Sequence, residues 1–107
     1  MTTAAVIIPN TGSPEVRTAI ESVLLQSHPS VRACVVVDGP QFETGFRAVT
    51  RDLPPGDMQV TVLEENVGRN GFYGHRIYAA FTHLVNSDYV LYLDQDNWFD
   101  PDHVAAS

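Results

Sequence analysis

Two aspartates, Asp94 and Asp96, stand one residue apart where the apolar run Tyr89-Val90-Leu91-Tyr92-Leu93 gives out. In extended backbone, residues i and i+2 project to the same side, so both carboxylates can approach a single hard divalent cation. A solvated turn with a helix-capping aspartate uses the same residue types, and the triplet alone leaves both readings open. The preceding buried run and the following Asn97-Trp98-Phe99-Asp100-Pro101 favour the cation. Asp100 sits directly before Pro101, a place better explained by N-capping of a helix, and is not counted as a ligand.

Other residues with chemistry in their side chains are fewer. Asp38 ends a β-branched run in front of Gly39-Pro40. It either forms an Asx turn or presents a carboxylate that accepts hydrogen bonds from a base imide or a ribose hydroxyl. Arg76 falls early in a helical pattern and away from its apolar face; it is either solvated or placed for a phosphate beside the helix N-terminus. Arg69, in a glycine-rich loop, carries the same two readings. Trp98 either stacks on a sugar or packs beside Phe99. The four histidines lack metal-ligand spacing, and Ser13 and Ser87 have no nucleophile-elbow context, so zinc sites and hydrolytic triads are unsupported. Residues 68–74 resemble a dinucleotide fingerprint, but the glycine spacing does not match and the segment falls too late in the chain for a dehydrogenase.

The elements that must position these residues follow from hydrophobic patterning. Residues 4–8 form a continuous apolar strand stopped by Pro9-Asn10-Thr11-Gly12. Ser13 as N-cap and Pro14 at the first helical position start a helix whose apolar face is Val16, Ile20, Val23 and Leu24, ended by Gln26-Ser27-His28-Pro29. A second buried strand spans 31–37, a weaker helix 42–53 ends at Pro54-Pro55-Gly56, and a short third strand covers 59–63. The loop 64–71 has glycines and asparagines that permit unusual backbone angles beside a ligand. An amphipathic helix over 72–86 carries Tyr73, Ile77, Ala80, Phe81 and Leu84, and the fourth strand is 89–93. Strands alternating with helices predict an α/β fold with right-handed crossovers and a mostly parallel four-stranded sheet, helices on both faces. Ligands bind such sheets at the carboxyl ends of strands, near the point where strand order reverses. Pro9 to Gly12, Asp38-Gly39 and Asp94-Gln95-Asp96 all end strands and are expected to converge there.

At 107 residues with 44% hydrophobic content, one domain with its own core is expected. The charge of −7, from 13 acidic residues against six arginines and no lysine, opposes nucleic-acid or anionic-membrane partners. A phosphorylated small molecule is compatible with such a chain when a cation neutralises it locally. Cys34, inside an apolar stretch, reads as a buried core residue. The N-terminus has no basic n-region and no apolar run spans a bilayer, which sets a cytoplasmic expectation.

With these residues in view, the chain resembles the N-terminal, nucleotide-sugar-binding part of a family 2 glycosyltransferase of the Rossmann-like GT-A fold, almost end to end. The resemblance is carried by Val6-Ile7-Ile8-Pro9-Asn10 and the helix through Glu21-Ser22-Val23-Leu24-Leu25-Gln26-Ser27. It continues in Val35-Val36-Val37-Asp38-Gly39, in Gly74-His75-Arg76-Ile77-Tyr78-Ala79-Ala80, and in Tyr92-Leu93-Asp94-Gln95-Asp96-Asn97 with Pro101-Asp102. It implies that Pro9, Asn10 and Thr11 border the base, that Asp38 contacts uracil or its equivalent, and that Arg76 helps hold the nucleotide. It further implies that Asp94 reaches the ribose or the metal shell and that Asp96 coordinates Mn²⁺ or Mg²⁺ on the diphosphate. The implied donor is a UDP-sugar or similar, and the acceptor, a hydroxyl on a saccharide, lipid or protein, is unspecified.

Three departures stand out. Gly39-Pro40 occupies the place where many relatives have a second acidic residue, and Ile77 stands where an asparagine commonly follows the arginine. The family's acceptor strands and catalytic carboxylate lie beyond the DXD segment, and no residue here matches the base. The 107 residues alone are therefore expected to bind donor or nucleotide without transferring sugar. A noncatalytic nucleotide-binding or interaction module is the alternative from another class. A nucleotidyltransferase is disfavoured because Pro9-Asn10-Thr11-Gly12-Ser13 has no basic residue to cradle a triphosphate.

Overall fold

The computed structural model of the chain describes residues 3–27, 30–54, 56–66, 77–78, 87, 89–93 and 98. Along them run β1 (Ala4–Asn10), α1 (Glu15–Leu24), β2 (Val31–Val37), a 3₁₀ turn (Pro40–Phe42), α2 (Glu43–Val49), β3 (Asp57–Val62) and β4 (Tyr89–Tyr92). The four strands form one sheet in the order β3-β2-β1-β4, and every described pairing is parallel. β1 is thus central, and the strand order reverses between β1 and β4.

All seven residues of β1 are buried, and the period-2 alternation of a strand sends them to two cores. Val6 and Ile8 join Val35 and Val37 of β2 under Val16, Ala19, Ile20 and Val23 of α1 and Phe46 of α2. Ala5 and Ile7 join Cys34 and Val36 under Ile77, with Leu63, Tyr78 and Val90 at the margin. Ile77 and Tyr78 are helical, so the sheet is covered on both faces. Ile77, the departure noted in the sequence, fills the second core, where an amide would be buried in apolar surroundings. Tyr78 also meets Tyr92 of β4 edge-on, with ring centroids 4.9 Å apart. The rest of the helix expected over 72–86 lies outside the described residues. No helix among the described residues is long and apolar enough to cross a membrane.

Strand β2 has the expected bounds, and α1 buries Val16, Ile20 and Val23 of the expected face with Ala19 added, while Leu24 is only partly buried. At the start of α1, Pro14 already has helical dihedrals, and the amides of Val16 and Arg17 donate to the carbonyls of Ser13 and Pro14. Three boundaries differ from expectation by two residues or more. Strand β1 runs on through Pro9 and Asn10, for a reason given below. Strand β3 begins at Asp57 rather than residue 59; Asp57 is the register partner of Arg32 and pairs with its guanidinium at 3.0 Å.

Helix α2 stops at Val49 rather than 53. Both the amide and the hydroxyl of Thr50 donate to the Phe46 carbonyl, at 3.1 and 2.7 Å, and Asp52 turns left-handed at φ 57°. The end is finished from another helix. The Arg17 guanidinium donates to the carbonyls of Val49 (3.3 Å), Arg51 and Asp52 (3.3 Å), while its Nε pairs with Glu21 at 2.7 Å. A cation on carbonyls left over at a helix C-terminus is favoured by hydrogen bonding and by the helix dipole together. A tertiary contact, invisible to local patterning, therefore sets this boundary.

Two tests follow from this packing. Arg17→Ala should lower stability by about 1–2 kcal/mol in urea titrations, and Arg17→Lys should recover only part of it, because an ammonium cannot span three carbonyls. Cys34 is buried, and burial pushes its thiol up, with Arg32 lowering and Asp57 raising it to lesser degrees. The native chain therefore holds this proton more tightly than the unfolded chain. Its contribution to stability is complete below the unfolded-chain value near pH 9.0 and is lost as pH climbs from there through the higher native value. Denaturation midpoints of the wild type should consequently fall more steeply above pH 9.0 than those of Cys34→Ala.

Candidate functional site

The carboxyl edge of the sheet is built from its backbone outward. In a central parallel strand, alternate residues bond to alternate neighbours. Ile7 faces β4, since its carbonyl accepts the Leu93 amide at 3.1 Å, whereas Asn10 faces β2, since its carbonyl accepts the Asp38 amide at 2.9 Å. Pro9 therefore turns the side without an N–H toward β4. The described β1–β4 register ends at Ile7↔Tyr92, while the β1–β2 register continues through Pro9↔Val36 to Asn10↔Val37. A proline that would break a ladder on the β2 side here faces away from it and leaves the β2 pairing intact. That is why β1 outlasts the stop expected at Pro9.

Asn10 is 2% exposed. Its carboxamide Nδ2 donates to the Val36 carbonyl at 3.1 Å, and its Oδ1 accepts the Gly12 amide at 3.0 Å. The second contact is an Asx turn that carries the chain out of the sheet with Thr11, exposed, at its apex. Gly12 then lies against the start of α2. At its φ of +73°, a Cβ would stand 2.8 Å from the Phe42 carbonyl oxygen and 2.9 Å from the Phe46 amide nitrogen.

Asp38, 4% exposed, follows the last residue of β2 and is tied to β1 through its own amide. After it the backbone reverses. Gly39 takes φ +126° and ψ 148°, a region open essentially to glycine alone, and its amide shares the Val37 carbonyl with that of Leu63, both at 2.9 Å. The turn into Pro40–Phe42 therefore requires glycine at this position. Among the described residues no buried side-chain nitrogen or oxygen lacks a hydrogen-bond partner.

Of the residues singled out in the sequence, Pro9, Asn10, Thr11 and Asp38 come together at one edge, linked by the bond from the Asp38 amide to the Asn10 carbonyl. Arg76, Asp94 and Asp96 lie outside the described residues, as do Arg69 and Asp100. The bond from Leu93 to Ile7 fixes where the strand preceding Asp94 stands, beside β1 and level with the approach to Pro9. Among the described residues no group of three or more histidine, cysteine or acidic side chains gathers as a metal-ligand set. Sequence reading missed the tight seating of Gly12 and the double use of the Asn10 amide. The signal was present in Asn10-Thr11-Gly12, since asparagine two residues before glycine is a common Asx-turn pattern.

A reversal of strand order at a carboxyl edge, with a central strand feeding both sides, is the arrangement in which open α/β sheets bind nucleotides. Residues 5–106 match Glycosyl transferase family 2, and the chain belongs to that family. The sheet is the N-terminal portion of its GT-A fold. Among solved structures, the chain is similar to S. aureus TarS 1–349, with a TM-score of 0.75 at 17% identity over 98% of this chain and 31% of that one. It is likewise similar to S. aureus TarS 1–349 in complex with UDP, with a TM-score of 0.70 at 18% identity over 98% of this chain and 30% of that one. The chain thus spans less than a third of the length of either. Among curated proteins nothing matches.

Gly12→Ala tests the seating of the first loop. Left-handed backbone and a methyl group driven against two main-chain atoms should together cost about 2 kcal/mol or more in denaturant unfolding. Gly56→Ala, which would meet the flexible end of Leu24, should cost less.

Proposed function

We propose that this chain is the donor-binding part of a metal-dependent glycosyltransferase, taking a nucleotide-diphosphate sugar, and specifically a UDP-sugar, at the carboxyl edge of β1, β2 and β4. The observation that carries the reading is the bond from the Leu93 amide to the Ile7 carbonyl, which delivers the residue before Asp94 to the point where the strand order reverses. Membership of Glycosyl transferase family 2 supplies the reaction class, and the likeness to a TarS structure in complex with UDP supports the choice of base.

In this reading Pro9, Asn10 and Thr11 form the wall beside the base, Asp38 accepts hydrogen bonds from the base, and Arg76 holds the nucleotide. Asp94 and Asp96 would hold Mn²⁺ or Mg²⁺. The donor set fits, since two carboxylates at i and i+2 after a strand offer hard oxygen ligands, and the remaining positions fall to phosphate oxygens and water. When bound, the cation supplies charge neutralisation to the departing nucleoside diphosphate. That is how a chain of net charge −7 without lysine would accept a polyphosphate. No residue from 1 to 107 is assigned as the base that takes the acceptor proton, so the chain by itself should bind donor and transfer little or nothing.

Calorimetric titration of the chain with UDP tests this directly. Binding should require Mn²⁺ or Mg²⁺, and Asp96→Asn should weaken it by about tenfold or more through loss of a charged ligand. Binding indifferent to metal and to Asp96→Asn would instead indicate a nucleotide or interaction module without transfer chemistry.

A further inference from the structure

The Asn10 carboxamide is bonded within the protein at both its nitrogen and its oxygen, and this changes what the residue can do. Its Nδ2 is bonded to the Val36 carbonyl on β2 and its Oδ1 to the Gly12 amide, with 2% of the residue exposed. Losing either bond would leave a buried main-chain carbonyl or N–H without its partner. Meanwhile the main-chain carbonyl of the same residue accepts the Asp38 amide at 2.9 Å. Asn10 thus touches β2, the Thr11 turn and the start of the Asp38 turn. Gly12, held by its side chain, is seated against the backbone of Phe42 and Phe46 beyond that second turn.

We infer that Asn10 is a positioning residue: its side chain fixes the separation of the turns that carry Thr11 and Asp38. The inference deepens the proposed function and rests on it. With the clamp in place, the two turns that wall the base are held in one arrangement before ligand arrives, so little binding energy is spent on ordering them. With the clamp removed, Thr11 and Asp38 keep their own side chains but lose their fixed spacing.

Three chains decide it: wild type, Asn10→Ala and Asn10→Ser. The serine hydroxyl can accept from the Gly12 amide as an ST turn does, but it is too short to reach Val36 as well. Hydrogen exchange at the Gly12 amide, read against core amides such as Val6 and Val35, should show protection falling about tenfold in the alanine chain and less in the serine chain. UDP affinity with Mn²⁺ should fall in the same order, by about tenfold for alanine, as expected from about 1 kcal/mol per lost bond.

If affinity falls in both variants while Gly12 protection stays at the wild-type level, Asn10 contacts the nucleotide itself and the positioning role is wrong. Loss of Gly12 protection with unchanged affinity also overturns it, because the clamp would then be irrelevant to binding. Should the alanine chain fail to fold, the serine chain alone must still show both losses. Failure of the proposed function is visible earlier and separately, as absence of UDP binding by the wild type with either cation, and it removes the positioning role as well.

Discussion

A strand paired on both flanks and covered on both faces can meet a ligand only at its end. That is the constraint on which this structure depends. β1 bonds to β2 on one side and β4 on the other, and all seven of its residues are buried. The first core requires α1 and α2 above Val6 and Ile8, and the second requires Ile77 above Ala5 and Ile7. What remains of β1 for chemistry is its last turn, Pro9 to Thr11.

At that end, four different solutions to backbone pairing are combined. Proline turns the side without a donor toward β4, and the asparagine side chain takes over two main-chain groups where β2 pairing ends. Gly12 permits a close backbone approach that no side chain would allow, and Gly39 permits the reversal after Asp38. None of these residues brings a charge. They shape the edge, and the charged chemistry proposed for it comes from Asp38 and from sequence next to β4. Shape and charge are thereby encoded in different residues, so a family sharing one fold can change its ligand without dismantling its turns.

Much of this was legible in the sequence where local and tertiary signals agree. The apolar run of β2 and the apolar face of α1 each had one buried surface to satisfy, and their patterns gave it away. Reading failed where a distant group decided a boundary. Nothing near residues 49–53 announces that Arg17 will take their carbonyls. Pro9 misled for a related reason. Whether a proline ends a strand depends on which neighbour its missing N–H would have faced, and that is a property of the sheet. The convergence of Pro9, Asn10, Thr11 and Asp38 followed from the general rule for parallel sheets, but the engagement of the Asn10 amide required its partners to be in place.

The position of β1 also orders events in time. Ala4 pairs with Val31 on one flank and with Tyr89 on the other. Closing the longer of these two loops costs about 1 kcal/mol more in chain entropy, and the cost comes before any contact across it is gained. β1, α1 and β2 form a local unit that can condense first, whereas the β4 flank must wait for nearly the whole chain to be at hand. The carboxyl edge lies at the seam between the early and late halves. Its completion therefore reports that the entire sheet has assembled, and a ligand bound across that seam would favour the finished fold over any partly built one.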